Sequence, residues 1–592
     1  MLPHIRTALG CRRLTLSAVQ GPINPPLDLR TLPEYFHSAI LESNAERPAL
    51  ICRAEKPRGH GGPPSRNMGV GRHLAWDFDE LDRHIASLAR GLVRMGVKKG
   101  DRVGVIMGNN SSYAMLQWAC ANIGAILVTL NPAYRLHELV STLNLVSVQH
   151  LFVVPSVRKS AYLSTFADAF PALRNSPPSG IQEPALPSLK NLVVVDNDGE
   201  FKVEIEKADV RCAVDWREVM IWQDGAEGRE VRRIVRGLDK DDVINLQFTS
   251  GTTGLPKAVS TRLVLGNLAA WSQSACVVYP SPVYDPPSIV DAIQGERCTA
   301  LHGVPTHFIG ILAEVASRRQ AAGIGEGGKL EGFDRLRTGI AAGSPVPIDL
   351  MKRLINEMGL TELTNAYGMT ETSPVSFQTM RADPIEKQVE TVGRVQPHVK
   401  AKIVDPASNV VPVGTPGEIC IAGYLLQKGY WKDEEQTEKV MKRDEEGTLW
   451  MYTGDEGIMD QDGYLRIVGR IKDLIIRGGE NLFPVQIENA LTADEGILEA
   501  AAIAVPDNKF GEVVGAWVVR RPGKVGGALT REAVARVVSE RMNPQNTPAW
   551  VWFVGEDGVQ DELPKTASGK VQKCVLREWS KVWAKKDVGK VL

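Results

Sequence analysis

The stretch LQFTSGTTGLPKAVST, residues 246–261, concentrates hydroxyls, two glycines and an ammonium in one turn: Thr249, Ser250, Gly251, Thr252, Thr253, Gly254, Leu255, Pro256 and Lys257. Backbone N–H groups of a glycine-rich turn, with hydroxyls and a lysine, can hold a polyphosphate. A Walker loop would place the lysine directly after a glycine. Here Leu255 and Pro256 intervene, so this is another kind of phosphate cradle, or a plain polar hairpin turn. Four later segments decide between those readings: NAYGMTETSP (365–374), YTGDEG (452–457), GYLRIVGRIKD (463–473) and LPKTASGK (563–570). Singly, Tyr367 could fill a core, Asp455 a turn and Lys570 a solvated tail. Their joint occurrence in this order is hard to obtain by chance.

These residues need a scaffold. From Asp101 onward, RVGVIM reads as a strand, SSYAMLQWACANI as a helix, AILVTL as a strand, RLHELVSTLNL as a helix and HLFVV as a strand. Such alternation implies βαβ units on a mostly parallel sheet. A glycine-rich stretch at 320–332 contains a formal G-x-G-x-x-G, Gly323 to Gly328, but follows a helical segment, so it fails as a dinucleotide fingerprint. From Gly469 short strands and helices alternate to the basic tail, which predicts a separate small α+β domain.

Length and composition set the outer limits. A chain of 592 residues implies more than one core. With 43% hydrophobic and 23% charged residues and a net charge of -1, it has no basic excess that would suit nucleic acid or an anionic membrane. Eight scattered cysteines without a CxxC pair suggest neither zinc nor a disulfide framework. The apolar run 113–130 contains Gln117, Asn122 and Gly124 and reads as helix then strand rather than a bilayer span. Residues 1–25 carry Arg6, Arg12 and Arg13 and no acid, which suits a mitochondrial transit peptide, with a disordered tail in the cytoplasm as the alternative.

Taken together, the motifs resemble the AMP-forming adenylating superfamily of acyl-CoA synthetases, luciferases and nonribosomal adenylation domains, over roughly residues 31–577. NPAYR, GRVQPHV and IIRGGENLFP are similar to the mitochondrial medium-chain acyl-CoA synthetase branch. The resemblance implies an α/β fold: a large domain of mixed and parallel sheets flanked by helices (26–469) and a small mobile α+β domain (470–592). It implies ATP, Mg²⁺ and coenzyme A, with a carboxylic acid as the activated substrate. Residues 249–257 would wrap the β- and γ-phosphates. Ala342, Gly343, Ser344, Asn365, Ala366, Tyr367 and Gly368 would form the adenine slot, with Tyr367 stacking on the base. Thr370 would touch the α-phosphate and Glu371 would hold Mg²⁺. Asp455 and Arg470 would grip the ribose, and Lys570 would offset charge developing between carboxylate and α-phosphate. Lys472 falls at the hinge position, and Gly478, Gly479 and Glu480 would line the pantetheine tunnel after the small domain turns.

Two departures from that pattern stand out. Ala258 replaces the usual glycine, and STRLVLGN lacks the usual histidine. NLAAW (267–271) runs almost directly into ACVVYP (275–280), where family members carry a helix–strand–helix that walls the acyl pocket. Some tens of residues are therefore expected to be missing near 270–275, through a skipped exon or a misjoined gene model. Three readings follow: an acid–thiol ligase, an adenylating enzyme with another acceptor, or a nucleotide-binding protein that the gap has made inactive.

Overall fold

The computed structural model describes residues 14–249, 257–261, 266–325, 328, 330–343, 346–556, 559–566 and 569–591. The βα alternation is present as strand Arg102–Ile106, helix Ser111–Ile123, strand Ile126–Thr129, helix Leu136–Leu145 and strand His150–Val153. The apolar run divides where local chemistry dictates. Asn110 caps the helix by accepting the Tyr113 N–H, and Gly124, at φ 66°, ends it in the left-handed conformation that glycine adopts freely. Among the described residues no helix is long and apolar enough to cross a membrane.

These strands join a seven-stranded sheet in the order Ala213–Asp215, Asn191–Val194, His150–Val153, Arg102–Ile106, Ile126–Thr129, Asn245–Thr249, Lys257–Thr261. Only the last pair is antiparallel, with Thr249 opposite Lys257. The sheet edge therefore brings together the two ends of the presumptive phosphate cradle. Helix Phe78–Arg94, capped by Asp77, buries the stripe Leu81, Ile85, Leu88 and Leu92 beneath this region.

A four-stranded sheet runs Thr338–Ala341, Glu362–Gly368, Val375–Gln378, Arg394–Val395. A six-stranded antiparallel sheet contains Val399–Val404, Gly417–Gly423, Leu449–Met459 and Leu465–Arg470. Its edge strand is Ala18–Gln20, paired with Val399–Val404, and Ser17 and Val19 are buried there. This corrects the reading for the later part of residues 1–25, since cleavage near residue 25 would strip an edge strand from the sheet, while residues 1–13 lie outside the described residues. A three-stranded sheet, Val277–Tyr279, Pro48–Cys52, Leu74–Asp77, stands apart.

After the turn Ile471–Asp473 the chain builds a separate α+β unit. A five-stranded sheet contains the long antiparallel pair Ile497–Asp507 and Gly511–Arg520, packed by helices Pro484–Thr492, Arg531–Arg541 and Lys573–Ala584. Trp517 and Trp552 are fully buried in it, their rings stacked at 5.2 Å. The whole is an α/β large domain with a small α+β domain. Gly323–Gly328 follows helix Pro305–Ala321, with no strand leading into it, as the failed dinucleotide reading requires.

Candidate active site

A cleft of about 3920 Å³ lies between the two domains. Thr249, Lys257, Ala342, Gly343, Asn365, Ala366, Tyr367, Gly368, Thr370, Glu371, Asp455, Arg470 and Lys570 all line it. Ser250, Gly251, Thr252, Thr253, Gly254, Leu255, Pro256 and Ser344 lie outside the described residues.

Strand Glu362–Gly368 sets one wall. Its ladder slips between Tyr367 and Gly368, where the strand leads toward the Thr370–Thr372 turn that carries Glu371. A Cβ on Gly368 would fall 1.6 Å from the Pro374 carbonyl oxygen, so only glycine fits. Asn365 is buried and spends its amide on the Thr391 carbonyl, Nδ2 donating at 3.0 Å, which makes it a wall brace.

Asp455 and Arg470 stand opposite each other on neighbouring strands, so the ladder fixes their pairing. Arg470 Nε lies 3.2 Å from Asp455 Oδ1, and the Tyr367 hydroxyl donates to Oδ2 at 2.8 Å. Each carboxylate oxygen keeps a further lone pair for a hydroxyl. Burial and the Asp455 charge push the Tyr367 phenol well above its usual range, so it remains a donor.

Lys570 comes from the small domain. The loop before it folds back, Lys570 N–H donating to Thr566 Oγ1 at 3.1 Å and Thr566 N–H to the Lys570 carbonyl at 2.7 Å. Gly569, at φ 78°, seats against the large domain: a Cβ there would meet Thr306 Oγ1 at 2.6 Å. The lysine's ammonium is destabilised by burial and by Arg470, against the attraction of Asp455 and Asp473, so its pKa lies below the usual lysine range. Beside the turn at the domain joint, Arg577 donates to Asp473 Oδ1 at 2.6 Å and to the Lys472 carbonyl at 3.2 Å.

Gly478, Gly479 and Glu480 do not reach this cleft among its lining residues. Gly478 and Gly479, at φ 60° and 87°, form the two-residue turn between strands Ile475–Arg477 and Glu480–Leu482, a conformation that favours glycine at both positions. The sequence reading missed Tyr430, whose hydroxyl donates to Glu371 Oε1 at 3.0 Å, and Gln436, whose Oε1 accepts from Lys257 Nζ at 2.8 Å.

The family model of AMP-binding enzymes matches residues 42–263 and 260–431, and that of the AMP-binding enzyme C-terminal domain matches residues 486–570. The chain belongs to this family. It is 37% identical over 539 positions to the acyl-CoA ligase sidI of Aspergillus fumigatus, covering 85% of this chain and 86% of that relative. It is 30% identical over 604 positions to the mitochondrial medium-chain acyl-CoA ligase ACSF2 of Homo sapiens, covering 95% and 89%. An anthranilate CoA ligase, AuaEII, solved with anthranoyl-AMP, shares the fold at a TM-score of 0.70 and 19% identity, covering 94% of this chain and 99% of that one. This member is accordingly an enzyme of the AMP-forming acyl-CoA synthetase kind.

Proposed function

We propose that this chain joins an aliphatic or aryl carboxylic acid, of the medium-chain type named for its human relative, to the thiol of coenzyme A at the expense of ATP. The observation that carries the reading is the meeting of Lys570, from one domain, with Tyr367, Glu371, Asp455 and Arg470 from the other. In this reading Tyr367 packs on adenine, Asp455 and Arg470 hold the ribose, and Lys257 meets the outer phosphates. A substrate carboxylate oxygen attacks the α-phosphorus as its bond to pyrophosphate breaks, giving an acyl-AMP. The Lys570 ammonium offsets the charge that builds between the two anions. The thiol then attacks the acyl carbon and AMP departs. Glu371, a buried carboxylate beside Lys257 and Arg470, is the hard oxygen donor that Mg²⁺ takes, and the ion would neutralise phosphate charge there.

Gly569 against Thr306 holds Lys570 over the nucleotide side of the cleft, which suits adenylation. Gly478, Gly479 and Glu480 would serve the thiol only after the small domain turns about Lys472. The arginines ahead of Leu14 support a mitochondrial address.

A second reading, nucleotide binding without turnover, is favoured by the acid side of the cleft. Among the described residues Val277–Tyr279 has a ladder partner on one side only, Pro48–Cys52. Across the cleft, Ala300 and Gly303 bridge in parallel to Thr338 and Ala341. Both edges line the same cavity. The family match also breaks near residue 260, and the alignment to the Aspergillus relative contains about 36 more positions than the residues it takes in here. That is the size of one strand–helix unit, about 30 residues or more. ATP–pyrophosphate exchange with a panel of acids separates the two: exchange with any acid supports the ligase, and none, with ATP still bound, supports the second reading. Grafting the relative's segment between Trp271 and Ala275 is expected to lower the acid KM and raise Tm.

A further inference from the structure

Resting on the reading of Glu371 as the Mg²⁺ ligand, we infer that Tyr430 is a positioning residue that locks this carboxylate and the cradle lysine Lys257 to one another, so that metal and outer phosphates are gripped as a unit. Its hydroxyl donates to Glu371 Oε1 at 3.0 Å, while its ring faces Lys257 Nζ at 4.9 Å from the centroid. The lysine is fixed from its other side by Gln436.

The backbone around Tyr430 is tied to both partners. Tyr430 bridges antiparallel to Val259, and the flanking hydrogen bonds, Trp431 N–H to the Ala258 carbonyl at 2.8 Å and Ser260 N–H to the Gly429 carbonyl at 3.2 Å, extend that edge. Gln427 N–H donates to the Glu371 carbonyl at 2.9 Å. One short segment, 427–431, thus fastens the strand leaving the phosphate cradle to the turn bearing Glu371. Gln427 is buried, 3% exposed, and its side chain lies within hydrogen-bonding reach of the Tyr430 hydroxyl, so the same segment also braces the group that meets Glu371.

The geometry makes Tyr430 an outer-shell group of the kind that orients a metal ligand, whose loss typically weakens metal affinity about 10- to 100-fold. Tyr430→Phe keeps the ring against Lys257 and removes only the donor to Glu371. Calorimetric titration of ATP, once in EDTA and once across a Mg²⁺ series, reads the two functions apart without turnover. In Tyr430→Phe the Mg²⁺ concentration that half-maximally tightens ATP should rise about tenfold or more, with ATP affinity in EDTA and Tm unchanged. Tyr430→Leu should weaken ATP in EDTA as well. A Tyr430→Phe chain with the wild-type Mg²⁺ requirement, or one losing ATP affinity equally with and without the ion, would overturn the inference alone. A wild-type chain that binds ATP under neither condition would overturn the proposed function and this inference with it.

Discussion

Asp455 is where three elements converge on one carboxylate, and its chemistry is the most direct to perturb. Asp455→Asn keeps the shape but removes the charge that Tyr367 and Arg470 address. A hydrogen bond to a charged group contributes about 1.5–3 kcal/mol, so ATP affinity should fall roughly 10- to 100-fold by calorimetry. Lys570 sets a pH dependence whose sign is fixed by its role. The ammonium is the working form, and burial with Arg470 lowers its pKa, so exchange should decline as pH rises through a value below that of free lysine. Lys570→Arg, whose guanidinium stays charged, should retain its residual rate at pH values where the wild type declines. The resemblance carried by the motifs singled these two residues out, and both line the cleft. Tyr430 was not singled out, because nothing local marks a tyrosine whose partner lies 59 residues away. Asn365, read as part of the adenine slot, lines the cleft and in addition braces the wall through Thr391, a use that no spacing discloses.

At the scale of elements, the alternating strands and helices from Arg102 to Val153 were readable because each has its own cap or apolar period. The strand Ala18–Gln20 was not: three residues carry no period, and its reason for existing is a partner nearly four hundred residues on. A chain beginning at Pro26 should therefore melt several degrees below one beginning at Leu14. Losing the burial of Val19 alone would cost about 1.5–3 kcal/mol, before the edge hydrogen bonds are counted. The loop bearing Lys570 depends on a different fit. Gly569→Val strains a left-handed residue and drives a side chain into Thr306. Exchange should fall at least about tenfold and more than ATP affinity does, since the substitution acts first on the loop that presents Lys570. Adding Thr306→Ala should recover part of the loss by relieving the collision and leaving the backbone strain.

For the whole molecule, two domains line one cleft, Tyr367, Glu371, Asp455 and Arg470 coming from the large one and Lys570 from the small one, so in the proposed reading neither is complete alone. The sequence motifs named both contributors, yet their meeting is a property of the docked chain, carried by Gly569 on Thr306. On the acid side the short path from Trp271 to Ala275 was visible as a missing length. Its structural consequence, two strand edges facing one cavity, required the tertiary arrangement. The central claim is that Lys570 acts on bound ATP and acid together rather than in holding ATP. ATP–pyrophosphate exchange in the wild type and in Lys570→Ala, each beside an ATP binding isotherm, tests it most directly. The account predicts exchange that depends on an added carboxylic acid and falls roughly 100-fold or more in the variant, with ATP affinity changed by less than about threefold. Exchange of equal rate in the two proteins, or a variant that has simply lost ATP, would contradict it.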